Sequence, residues 1–169
     1  MLLSVGELSV RKNHSVVINA LSQLNNRNIK YFICGKGKLK NELELLCQKL
    51  GVEEQVFLLG YRTDISELCQ CADLYVFPSL QEGLPVALME AIACKMPVIC
   101  SNIRGNIDLI KNQDYLFNPM DVDAICKCMS YALASDNSHV VEENYLTLQQ
   151  YDMCSVSRYM CNEYERMLI

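Results

Sequence analysis

Short apolar runs alternating with helix-period segments constrain this chain more than any other feature of its sequence. Leu2 to Val5, Ile29 to Cys34, Val56 to Leu59, Leu74 to Phe77, Val98 to Cys100 and Tyr115-Leu116-Phe117 each read as a strand. Between the first two runs, Val16, Val17, Ala20, Leu21 and Leu24 recur at helical spacing from His14 onward. Leu39 to Leu50 follows with Leu43, Leu46, Cys47 and Leu50 on one face and Gly51 as its stop. Ile65 to Cys71 is a short helix for which Asp64 is the expected cap, and another helix opens at Pro85. After Asn118-Pro119 the pattern turns helical, with helices expected over Val122 to Leu133, Asn144 to Gln150 and Val156 to Leu168. Strand followed by helix, repeated, gives a parallel sheet covered on both faces. The expectation is therefore an α/β, Rossmann-like, doubly wound parallel sheet of about six strands with extra carboxy-terminal helices.

In such sheets ligands bind beyond the carboxyl ends of the strands, where the strand order reverses. The loops of unusual composition, residues 6–13, 35–38, 60–62, 78–85 and 101–105, all fall at that edge. In the order 3-2-1-4-5-6 the reversal lies between strands one and four, whose loops carry Lys12 and Glu82.

Composition narrows the classes of function. The 169 residues are 51% hydrophobic and 21% charged, which suits one globular domain, taken here as residues 1–169. A net charge of −5 argues against a general nucleic-acid binder and gives no basic membrane-binding face. No run of about 18 apolar residues predicts a membrane span, and MLLSVGELSV lacks the basic start of a signal peptide. The 10 cysteines stand in or beside apolar runs or in C-x-C pairs without a nearby histidine, so they read as small buried hydrophobes in a reducing cytoplasm. No metal site is expected.

The stretch PSLQEGLPVALMEAIACKMP, Pro78 to Pro97, holds the densest chemistry. Glu82 and Gly83 occupy a loop after the fourth strand. Pro85 is expected as a first helical residue, where its missing N–H costs nothing. From Val86 to Cys94 every residue but Glu90 is apolar, which predicts a buried helix with a carboxylate that needs a partner. Helix N-termini attract anions through free N–H groups and the dipole. The plainer alternative is an ordinary strand-loop-helix in which Glu90 pairs with a basic residue.

Arg11 and Lys12, Gly35-Lys36-Gly37, and Gly83 with the Pro85 helix together offer cations and flexible backbone suited to a phosphate or pyrophosphate. Glu82 and Glu90 suit hydroxyl groups, because an ionised carboxylate only accepts hydrogen bonds. Phosphate plus polyhydroxyl describes a sugar nucleotide. The G-x-G-x-x-G fingerprint is absent after the first strand, where only Gly6 stands, and no Walker loop occurs. Neither His14 nor His139 lies where a nucleophilic triad would need it.

These residues carry a resemblance. Glu82-Gly83-Leu84-Pro85 through Glu90 is similar to the E-x7-E motif of retaining glycosyltransferases of family 4, which have the GT-B fold. Val5-Gly6 through Lys12-Asn13 resembles that family's first donor-side loop, and Ile33-Cys34-Gly35-Lys36-Gly37 its GxG loop. Phe57 to Tyr61 resembles its base-side loop, and Ala72-Asp73 with Val76-Phe77-Pro78-Ser79 the approach to E-x7-E. Gly105 with Ile107-Asp108-Leu109-Ile110, and Tyr151-Asp152 with Val156 to Tyr164, extend the likeness over nearly the whole chain.

The resemblance implies the carboxy-terminal, nucleotide-sugar donor-binding half of a GT-B enzyme, with the amino-terminal acceptor domain absent from this chain. It implies transfer of a hexosyl group from a nucleoside diphosphate sugar to a polysaccharide or glycolipid acceptor, glycan or lipid-linked, with no metal or other cofactor. Lys12 and Glu82 become the catalytic candidates: Lys12 for the diphosphate, Glu82 for sugar hydroxyls. Backbone around Gly83, Leu84, Pro85 and Val86 would hold sugar and phosphate, and Glu90 the ribose. Gly6 and Gly35 would border the donor, with Leu58 to Tyr61, including Gly60 and Tyr61, flanking the base. The place implied is the cytoplasm, at the inner face of the membrane for a full-length enzyme that associates peripherally through the absent half. The fragment alone is expected to be inactive.

One departure stands out. Many family members have arginine directly after the first-loop glycine, where this chain has Glu7; Arg11 or Lys36 would have to compensate. Exposed apolar surface is expected where the other half would pack. Alternatives stay open: a binding module without catalysis, or a sugar-nucleotide epimerase or phosphorylase of similar fold. Tyr61 suits either the base or packing. Lys36, Lys38 and Arg104 suit solvated positions, and Asp73 a turn.

Overall fold

The computed structural model describes residues 1–167; the side chains at 153, 162–165 and 167 lie outside that description. Six strands form one parallel sheet: β1 (Leu2–Val5), β2 (Tyr31–Cys34), β3 (Val56–Gly60), β4 (Leu74–Phe77), β5 (Val98–Ser101) and β6 (Leu116–Phe117). Their order is β3-β2-β1-β4-β5-β6, so the reversal falls between β1 and β4. Register sets Leu2 opposite both Tyr31 and Leu74, and Val5 opposite Cys34, so the strands end together at one edge. All four residues of β4 and of β5 are buried, as expected of strands covered on both faces.

The helices are α1 (His14–Leu24), α2 (Lys40–Leu50), α3 (Ile65–Cys71), α4 (Val86–Ala93), α5 (Asn106–Leu109), α6 (Val122–Ala134), α7 (Ser138–Leu148) and α8 (Met153–Met167). The expected end of the last helix at Leu168 lies outside the described residues. α1 buries Val16, Val17, Ile18, Ala20 and Leu21, and packs against α2 and α6. α7 begins six residues before the expected Asn144. Its first turn, Ser138 to Val141, carries two valines; Val140 and Asn144 are buried, and the helix packs against α4. α5, a single turn after Gly105, carries too short a pattern to have been read as a helix. Tyr115 closes a 3-10 turn, Gln113–Tyr115, instead of opening β6.

Three expectations are corrected. α4 is not buried all round: Leu88, Ala91 and Ile92 are buried, while Val86 is 55% exposed and Glu90 faces solvent. A helix lying on a sheet can turn only one stripe inward, whatever its composition. Pro85 is the N-cap of α4, not its first helical residue, and its carbonyl accepts from Leu88 and Met89 at 2.9 and 3.0 Å. Asp64 occupies the N-cap of α3 without capping it, because Arg62 takes the carboxylate, with Nε at 2.8 Å from Oδ1.

Candidate functional site

The loop after β1 runs from Gly6 into a 3-10 turn, Val10–Lys12, and closes on Asn13 in the left-handed region before α1. Backbone bonds lace this loop to the one after β2: Gly6 N–H to the Cys34 carbonyl at 2.9 Å and Leu8 N–H to the Lys36 carbonyl at 3.0 Å. The approach is so close that a Cβ at Gly35 would stand 1.8 Å from the Gly6 oxygen. One at Gly37 would stand 2.2 Å from the Leu8 oxygen. The glycines of Gly35-Lys36-Gly37 thus serve the packing of two loops.

The loop after β4 meets the β1 loop from the other side. Leu80 N–H donates to the Arg11 carbonyl at 2.8 Å. Lys12 Nζ lies 2.7 Å from Glu82 Oε1, with side-chain exposures of 13% and 6%. Arg11 adds a second cation 3.7 Å from Glu82 Oε2. The Lys12 ammonium also sits 4.9 Å from the Phe77 ring centroid, a cation–π contact at the end of β4. Behind Glu82, Gly105 has φ +91°, and a Cβ there would stand 2.8 Å from the Gly83 oxygen. That position admits glycine alone without rearrangement.

The structure therefore brings Lys12 and Glu82 into direct contact at the reversal of strand order. Their expected ligand partners are different groups, yet in the structure each is the other's partner. Glu90 stands apart on the exposed face of α4, and no ion pair joins it among the described residues. Val86 N–H is engaged by the Leu84 carbonyl at 3.0 Å, while Leu84 is 61% exposed.

Two hollows flank the Gly35–Gly37 loop. One, of about 350 Å³, is lined by Gly6, Glu7, Cys34, Tyr61 and Arg62 among others. Tyr61 is 71% exposed, with the Lys36 ammonium 6.0 Å from its ring centroid. The other, of about 420 Å³, takes Leu58, Leu59 and Gly60. The stretch Leu58 to Tyr61 is thus divided between two hollows. Glu7 forms part of the first wall, and Arg11, the expected substitute for the missing arginine, is committed to Glu82. Residues that sequence reasoning passed over are Phe77, beneath Lys12, and Arg62, in the first hollow. The aromatic end of the β4 run directly before the site loop was the one available signal for Phe77.

The rim of this edge carries exposed apolar residues: Val10, Leu84, Val86, Ile107 and Met120, on the loops and first helical turns after β1, β4, β5 and β6. All 10 cysteines are free thiols, and Cys34, Cys47, Cys69, Cys100 and Cys128 are buried. Burial raises the thiol pKa of Cys47 to about 11 and of Cys69 and Cys128 to about 12, so they are inert packing groups. Among the described residues no cluster of histidine, cysteine or carboxylate side chains is arranged to hold a metal, and no helix is long and apolar enough to cross a membrane.

The family model described as glycosyl transferases group 1 matches residues 1–145. The chain is 33% identical over 132 residues to the Escherichia coli UDP-Gal:alpha-D-GlcNAc-diphosphoundecaprenol alpha-1,3-galactosyltransferase, covering 74% of this chain and 34% of that protein. It is 37% identical over 122 residues to the Campylobacter jejuni N-acetylgalactosamine-N,N'-diacetylbacillosaminyl-diphospho-undecaprenol 4-alpha-N-acetylgalactosaminyltransferase, covering 72% and 33%. The chain spans about a third of the length of these curated relatives. Its fold is similar to that of Anabaena Alr3699/HepE, solved in complex with UDP and glucose, with a TM-score of 0.85 and 20% identity over 97% of this chain and 48% of that one.

Proposed function

This chain belongs to the group 1 glycosyl transferase family, and from that premise we propose that it is the nucleotide-sugar donor half of a retaining family 4 enzyme, the carboxy-terminal half of a GT-B fold. The whole enzyme transfers a hexosyl group from a nucleoside diphosphate sugar to a lipid-linked or polysaccharide acceptor. The observation that carries this reading is the Lys12–Glu82 contact of 2.7 Å at the reversal between β1 and β4. One cation and one carboxylate stand where a diphosphate and a sugar meet.

On this reading Lys12 leaves Glu82 for the diphosphate, and Glu82 accepts hydrogen bonds from sugar hydroxyls. The backbone from Gly83 to Val86 borders sugar and phosphate, Glu90 takes the ribose hydroxyls, and the base enters the hollow beside Gly6, Gly35 and Tyr61, with Gly60 behind, its carbonyl accepting from Gly35 N–H at 2.7 Å. The bond from the anomeric carbon to the diphosphate oxygen breaks and its electron pair leaves with the nucleoside diphosphate. A new bond from that carbon to the acceptor oxygen forms on the same face, and the acceptor hydroxyl passes its proton to the departing diphosphate oxygen. Lys12 and Arg11 stabilise the negative charge that develops on the departing diphosphate. The apolar rim is the surface that meets the acceptor half, so this chain alone binds donor without transferring it. In a whole enzyme that half would also make any contact with the membrane.

Calorimetric titration with UDP, GDP, ADP and their sugar conjugates tests the reading. One base should be selected, and its binding should be lost on Lys12→Ala. Absence of binding by every nucleotide would count against a donor site in this chain, and sugar transfer by the chain alone would overturn the need for a second half.

A further inference from the structure

His14 opens α1 directly behind the Lys12 turn and is 3% exposed. Its hydrogen bonds run in one direction only. Ser4 Oγ donates to the Val76 carbonyl, and Tyr31 OH donates to Ser4 Oγ at 2.8 Å. With the Tyr31 proton directed at Ser4, the 3.2 Å contact of His14 Nδ1 with the Tyr31 oxygen assigns the ring proton to Nδ1. Nε2 is left as a bare, buried lone pair with no partner. The backbone carbonyls of Glu7 and Gly6 face the ring and favour its charged form. Burial opposes that form most, and the Lys12 charge next; together they hold the pKa down from 6.5 to about 4.

The groups facing the ring are few. Lys12 stands on the turn before it, with Glu82 beyond that ammonium; Tyr31 and Ser4 lie beneath on β2 and β1. Glu42 of α2 shares with His14 and Ser9 a surface hollow of about 320 Å³, which gives protons a route from solvent. Of the two opposing influences, burial is fixed by the fold. The Lys12 charge is not: Glu82 offsets it with one negative charge, and a diphosphate that takes the place of Glu82 brings two.

We propose that His14 is a proton-linked positioning residue for the donor: a diphosphate seated on Lys12 draws one proton from solvent onto Nε2. The imidazolium then faces the backbone of the Gly6–Glu7 turn and adds positive charge behind the departing diphosphate. This rests on the donor-binding reading above. A histidine held neutral in the fold withdraws stability as pH falls from 6.5 toward about 4. Bound donor should soften that loss, since it favours the same proton.

The test is calorimetry with UDP-galactose, whose diphosphate does not titrate near neutrality, in pairs of buffers of different ionisation enthalpy. A diphosphate near the ring should raise its pKa by about one to three, giving uptake of about 0.1 to 0.9 proton per donor at pH 6, fading toward zero at pH 8.5. Uptake should vanish in His14→Asn, checked as folded by circular dichroism, and affinity should then lose its rise toward low pH. Binding with identical heats in both buffers at pH 6, or uptake that survives in His14→Asn, overturns the proposal and leaves the donor reading standing. If UDP-galactose, UDP and GDP-mannose all fail to bind, the donor reading falls and takes this inference with it.

Discussion

Glu82 and Glu90 are eight residues apart and belong to one sequence motif, yet they live in different physical worlds. The Glu82 side chain is 6% exposed and gripped by Lys12 and Arg11. Glu90 stands on the open face of α4, exposed, with no ion pair among the described residues. The difference is one of element. Glu82 sits on a loop pulled against the β1 loop by the Leu80 to Arg11 backbone bond, whereas Glu90 rides the helix stripe that points away from the sheet. A ligand at Glu82 must displace a partner already present, and a ligand at Glu90 displaces only water. The first site can therefore discriminate strongly and the second only modestly.

The sharpest way to break this comparison is Glu82→Ala. On the proposed donor role it removes the acceptor for sugar hydroxyls and frees Lys12, so binding of a UDP-sugar should weaken while free UDP binds as well as before or better. Sugar transfer by an enzyme containing this domain should fall by roughly two to three orders of magnitude, the usual cost of one transition-state contact. Calorimetry with both ligands checks it, and equal losses for UDP and UDP-sugar would contradict the role given to Glu82.

Lys12→Ala comes next. It strips a nearly buried carboxylate of its nearer cation, leaving Arg11 at 3.7 Å on the solvent side. Breaking a fully buried pair costs about 3–5 kcal/mol. With Arg11 still present and the Lys12 side chain 13% exposed, about 1–2 kcal/mol of stability should go, read as a shift in the urea midpoint at unchanged slope. Diphosphate and UDP-sugar binding should weaken together.

Glu90→Gln should have the smallest effect. An exposed, unpaired carboxylate leaves stability within about 0.5 kcal/mol on substitution. Affinity for a ribonucleotide should drop by about tenfold, and a 2',3'-dideoxynucleotide should show no such drop. A stability loss as large as that of Lys12→Ala would show that Glu90 is held after all.

Much of this was legible in the sequence. Alternating runs and periods foretold six strands, because a strand buried on both faces must be apolar throughout and a covering helix apolar on one stripe; their order came from the usual arrangement of doubly wound sheets. That order alone sets Lys12 and Glu82 at one crevice. What misled was composition read as burial in α4: apolar residues on every side do not bring a second layer of protein to cover them. Asp64 misled similarly, since a capping residue type is available to whichever donor lies nearer, and Arg62 lay two residues away.

The sequence by itself determined the architecture and which loops would face one another, since periodicity and turn residues act over a few positions and topology follows from few rules. Only the tertiary structure decided the pairing of Lys12 with Glu82, 70 residues apart, and the proton direction through Ser4, Tyr31 and His14. It also decided that Gly35 and Gly37 serve loop packing. Each of these depends on tenths of an ångström between segments distant in the chain, and no local pattern encodes such distances.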